Sequence, residues 1–207
     1  MPVSNVHVPT RLRRAEQVER NREVVLDAAK RVFLERGYAG ATVEAVSEDA
    51  GFSKGVVYSQ FGSKADMFLA LLDRRIDERA AENNQVVVHL AGADAVRALL
   101  LAAGRDAASE PGWARLLIEF RASAGRDPEL NRRYAAAHAR TLDALVGVLG
   151  RIHQRAGREP AVPLGSMAEF IVGLGSAVAL ERLANPGALA DTDLTTLVTR
   201  ALGLPDR

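Results

Sequence analysis

Apolar residues recur along this chain at helical intervals almost from end to end, and that pattern predicts helix after helix. Between residues 22 and 36, Val24, Val25, Ala28, Ala29, Val32 and Phe33 repeat at i, i+1, i+4, i+5, i+8 and i+9, one apolar face of a helix. Gly37 suits the left-handed position that ends it. Thr42 then stands where an N-cap would, with Val43, Val46 and Ala50 marking one side of a short second helix. Gly51 breaks that helix, and Ser53 caps a third that runs from Lys54 to about Gln60. Ser63-Lys64-Ala65-Asp66 has capping-box spacing and opens a fourth, followed by Phe68, Leu71, Leu72 and Ile76. Short helices joined by a tight turn at Gly51 have the layout of a helix-turn-helix unit.

Beyond Asn84 the predicted helices lengthen, over residues 96–108, 113–123, 128–154, 166–183 and 193–202. Asp127-Pro128 is a strong helix start, a capping side chain followed by proline in the first turn. Val86-Val87-Val88 is the one β-rich triplet and is too short to found a sheet. The fold class expected is all-α: a helix-turn-helix domain over residues 20–65 and a larger helical domain over 66–207.

Charge changes the picture at one end. The chain of 207 residues carries a net charge of only +1, so any affinity for nucleic acid must reside in a local patch. Residues 1–14 hold Arg11, Arg13 and Arg14 without an acidic partner, and Pro2 and Pro9 discourage helix. A flexible basic arm is expected over residues 1–19. There is no cysteine, which removes disulfides, thiolate zinc sites and thiol catalysis together. Residues 1–30 contain no apolar signal core. The charge-free run at residues 170–180 is 11 residues long, short of the ~18 that suggest a membrane span. A soluble, cytoplasmic protein without a membrane partner is expected.

The run Thr42-Val43 … Ala50-Gly51-Phe52-Ser53-Lys54-Gly55-Val56-Val57-Tyr58 … Phe61-Gly62-Ser63-Lys64, preceded by Ala28-Ala29, Phe33 and Gly37-Tyr38, resembles the N-terminal domain of the tetracycline-repressor (TetR) family. The resemblance covers about residues 20–72. Beyond them the chain is similar to that family only in helical character and length. It implies a sequence-specific transcriptional regulator, more repressor than activator, that binds a palindromic double-stranded operator as a homodimer and answers a small-molecule effector.

The residues agree with that reading on physical grounds. A helix that enters the major groove must present small or polar side chains, and Ser53, Lys54, Gly55, Val56 and Ser59 are of that kind. Val57 and Phe61, four apart, can anchor the opposite side. The resemblance implies that Tyr58 gives its hydroxyl to a phosphate. Thr42 and Lys64 begin helices whose free N–H groups favour phosphate. Lys54 and Ser59 are candidates for base edges, with a phosphate the alternative for Lys54.

Two rival chemistries fit the residues less well. Gly51-Phe52-Ser53-Lys54-Gly55 matches the G-x-S-x-G nucleophile elbow, but that motif follows a buried strand. Here Glu44, Glu48 and Asp49 precede it at helical spacing, so no catalysis is expected. His7, His89, His138 and His153 are scattered, and none has an acid three residues before it, so neither a metal nor a cofactor is expected.

In the C-terminal region the resemblance implies an effector site and a dimer interface. Trp113, Leu117 and Phe120 share one helix face, and Tyr134 and His138 another. With Phe170 they are candidates for a mostly apolar ligand, and plain core is the competing reading. Gly173 and Ala177, four apart, would let another helix approach closely. With Leu180, Leu194, Leu197 and Val198 they suggest a four-helix interface between subunits; a helix buried inside one subunit is the alternative. A DNA-binding dimer that answers no ligand and a ligand-binding helical protein without DNA contacts are the remaining readings.

Overall fold

The computed structural model describes residues 10–204, and among them are nine helices and no strand. α1 spans Thr10–Gly40, with non-helical backbone at Gly37 (φ 70, ψ 171), a region essentially reserved for glycine. α1 starts well before the expected residue 22, so residues 10–19 of the expected arm are helical. Pro9 stands ahead of the first helical residue, and residues 11–20 are rich in Arg, Glu and Gln, good helix formers. Gln17 Nε2 donates to Asn21 Oδ1 one turn on, at 2.8 Å. Residues 1–9 of that expectation lie outside the described residues.

The chain divides into two compact units between Leu71 and Leu72. In the first, Val25, Ala28, Ala29, Val32 and Phe33 of α1 are buried, whereas Val24 of the expected apolar face is exposed. α2 (Val43–Ala50) is capped as expected: Thr42 Oγ1 accepts the Ala45 N–H at 3.2 Å. Gly51 ends it in the left-handed conformation (φ 70), and Phe52 N–H returns to Ser47 O at 3.0 Å. α3 (Lys54–Gln60) opens on Ser53, whose Oγ accepts the Val56 N–H at 3.4 Å. α4 (Lys64–Val86) opens on Ser63, which accepts the Asp66 N–H and donates to Asp66 Oδ2 at 2.6 Å.

This unit extends past residue 65, the boundary expected, because Met67, Phe68, Leu69 and Leu71 are buried with it. Phe68 stands edge-on to both Phe33 and Tyr38, with ring centroids 5.5 and 5.4 Å away.

The second unit holds α5 (Gly92–Ser109), α6 (Gly112–Ala124), α7 (Pro128–Ala156), α8 (Leu164–Ala184) and α9 (Asp191–Ala201). Asp127 Oδ1 caps α7 by accepting the Glu129 and Leu130 N–H groups. Val96, Leu149, Ile152, Met167, Ala168, Val198 and Leu202 form its core. The buried ring of His153 lies between the Leu149 and Leu202 carbonyls, at 3.0 and 3.4 Å, and ties α7 to the end of α9.

Candidate nucleic-acid interface

α3 is anchored on one side and open on the other. Val57 within it and Phe61 at its end are buried. The Arg22 guanidinium from α1 lies 4.2 Å above the Phe61 ring and donates from Nη1 to Gln60 O at 3.1 Å, which fixes the helix at its C-terminal end. On the open side, Ser53, Lys54, Gly55, Tyr58 and Ser59 are exposed and Val56 is half-buried. Tyr58 is 49% exposed, a large aromatic ring turned toward solvent. The sequence-predicted residues of the turn and α3 therefore share one accessible surface, with Thr42 exposed at the start of α2.

Gly55 is a glycine that the fold does not require. Its φ is not positive, and a Cβ there would meet only Ser53 Oγ, at 3.9 Å. Glycine in a helix costs up to ~1 kcal/mol relative to alanine. What its missing side chain leaves open is the outer surface, where a groove would approach the backbone.

Three side chains have roles the sequence did not announce. Lys54 Nζ, expected at a base edge, pairs with Glu44 Oε1 at 2.7 Å. The hydrogen bond from Lys54 is the main cause holding the Glu44 carboxyl below its usual range. Lys64 donates to Tyr38 O at 2.8 Å and stands 4.7 Å from the Tyr38 ring. That hydrogen bond ties the end of α1 to the start of α4, although burial lowers the Lys64 pKa. Ser59 Oγ donates to Val56 O at 2.7 Å. Glu44 and Arg22 were missed because their partners lie across a turn or on another helix, where periodicity carries no signal.

In the second unit the expected effector residues divide. Trp113, Phe120 and Tyr134 are buried, and Leu117 and His138 are half-buried. Phe120 and Tyr134 pack edge-on at 5.9 Å, and His138 stacks on Tyr134 at 5.8 Å. Burial, then the nearby Arg121 cation, lowers the His138 pKa, with Glu169 opposing, so its ring is neutral near pH 7. Trp113 instead carries the Arg75 guanidinium 4.4 Å above its ring. Phe170 departs from this group: it is 48% exposed on α8. Helical period tells which residues share a face of α8, but not that this face looks outward.

The expected interface residues divide too. Gly173, Ala177 and Leu180 are exposed on α8, continuing the stripe from Phe170. Leu197 on α9 is exposed, whereas Leu194 packs partly against the core and Val198 lies within it. Val198 is thus a core residue, because the α9 stripe faces inward along that edge. By length and composition α8 is apolar enough to cross a membrane, although Glu169 and Glu181 bound its charge-free run.

Residues 25–71 match the family model described as bacterial regulatory proteins, tetR family. The chain is 31% identical over 146 residues to the HTH-type transcriptional repressor AcnR of Corynebacterium diphtheriae, covering 68% of this chain and 67% of that protein. It is 31% identical over 131 residues to AcnR of Corynebacterium efficiens, covering 62% of this chain and 63% of that relative, a little under two thirds of its length. The fold superposes on the crystal structure of the transcriptional regulator FadR from Bacillus subtilis in complex with stearoyl-CoA, with a TM-score of 0.71 and 20% identity. That match covers 87% of this chain and 96% of the other.

Proposed function

The chain belongs to the TetR family of bacterial regulatory proteins, and from that premise we propose that it is a cytoplasmic, sequence-specific DNA-binding transcriptional regulator. It acts as a homodimer and represses from a palindromic operator. The observation that carries this reading is the open side of α3, where Tyr58 is turned to solvent beside a glycine that the fold does not need. The turn at Gly51 and the Ser53 cap fix that helix against its unit, so it can enter a major groove without rearranging. Thr42 adds helix N-terminal N–H groups suited to phosphate, and Tyr58 a hydroxyl. Lys64 braces this surface from the α1 end.

Dimerisation is proposed through the α8 stripe of Phe170, Gly173, Ala177 and Leu180. An apolar face of this kind is expected to be covered, and the small residues allow a second copy of the helix to come close. Leu197 adds to this surface, and the core residue Val198 does not. The effector is proposed to be a mostly apolar molecule taken at the α6–α7 aromatic face of Phe120, Tyr134 and His138, with Leu117 beside them. A neutral His138 offers a polar contact there without a charge. FadR from Bacillus subtilis was solved with stearoyl-CoA, a ligand with a long apolar chain. An effector can move the protein off DNA only by as much as its affinities for the two states differ.

Hydroxyl-radical footprinting on a duplex selected by the protein from a random library checks the geometry. Two protected patches with centres about 34 Å apart are expected. One isolated patch would contradict the dimer.

A further inference from the structure

Glu44 and Lys54 form an exposed ion pair on the surface assigned above to DNA, one on the first turn of α2 and the other on the first residue of α3. The macrodipole of α2 favours a carboxylate at that place, and the hydrogen bond from Lys54 holds its pKa below the usual range. A fixed carboxylate is out of keeping with a surface that only has to attract phosphate, because it repels every phosphate that Lys54 could reach. Side by side, however, the two groups offer one donor and one acceptor. The major-groove edge of a G·C pair presents the complement: guanine N7 and O6 accept, and the cytosine N4 amino group donates. A phosphate presents acceptors only.

We propose that Glu44 is a specificity-determining residue that, with Lys54, reads the major-groove edge of a G·C base pair and withholds the Lys54 ammonium from phosphates. The inference rests on the DNA-binding reading above. Glu44 lowers affinity for DNA in general and restores it where a cytosine amino group meets the carboxylate. The gain is in discrimination between sites.

Glu44→Gln keeps the shape and removes the charge, and the side chain is exposed, so the fold has little to lose. The probes are a duplex selected from a random library by the wild-type protein and a scrambled duplex of the same composition. Dissociation constants are compared for the wild type, Glu44→Gln, Lys54→Met and the double variant. Glu44→Gln is expected to tighten binding to the scrambled duplex and to lower discrimination about tenfold. Its salt dependence on the scrambled duplex should steepen by roughly one phosphate contact per subunit. Selection repeated with Glu44→Gln should lose one G·C preference in each half-site. In the Lys54→Met background the same substitution should leave discrimination nearly unchanged. Equal discrimination by wild type and Glu44→Gln, or an equal effect in both backgrounds, would overturn the proposal. A wild type that binds neither duplex in a salt-dependent way would instead remove the DNA-binding reading itself.

Discussion

Gly173→Leu is expected to leave each protomer folded while turning a dimer into monomers. In the protomer a Cβ at Gly173 meets nothing within 4 Å, and the residue lies on the exposed face of α8. A leucine there also favours helix over glycine by up to ~1 kcal/mol, so thermal stability of the protomer should hold or rise. Only a second subunit packed against that surface would feel the added side chain. A small residue lets two helix backbones approach, and an isobutyl group at the point of closest approach holds them apart. Loss of the dimer removes two-site binding, and affinity for a palindromic duplex should fall by about two orders of magnitude or more. Sedimentation velocity reads the association state, and circular dichroism reads the fold. A folded Gly173→Leu protein that remains dimeric at the wild-type concentration would place the interface away from α8.

Gly55→Ala is the second large effect, and its two readouts should move in opposite directions. Gly55 sits within α3 at ordinary helical φ, with room for a methyl group beside Ser53 Oγ. The substitution should raise the stability of the first unit by up to about 1 kcal/mol. The same methyl group stands between the α3 backbone and the groove, so affinity for the selected duplex should fall about tenfold or more. Melting curves and gel-shift titrations separate the two. A protein that is both more stable and unimpaired on DNA would show that the α3 backbone does not approach the bases.

What the sequence disclosed here is governed by distance along the chain. Thr42, Ser53, Ser63 and Asp127 cap their helices within three residues, and Gly51 ends α2 locally, so each was readable from its neighbours. The early start of α1 comes directly after Pro9, whose effect on the backbone does not extend into residues 11–20. Periodicity placed Leu194, Leu197 and Val198 on one stripe, yet Val198 is in the core and Leu197 is exposed. A period identifies a face; only packing says which edge of it is covered. Phe170 stands exposed on α8, apart from the buried Phe120 and Tyr134, for the same reason. The ties between Lys64 and the Tyr38 carbonyl, and between Glu44 and Lys54, join residues 26 and 10 positions apart, and no pattern in the chain links them. The division at Leu71 reflects the return of Phe68 onto Phe33 and Tyr38, a packing choice made in three dimensions.

A salt titration of binding tests most directly whether the surface around α3 holds duplex DNA. Affinity of the wild-type protein for a duplex selected from a random library should fall linearly on logarithmic axes as salt rises. A dimer touching six or more phosphates should lose about a thousandfold between roughly 50 and 200 mM. Binding that does not respond to salt, or no binding to any duplex, would contradict it.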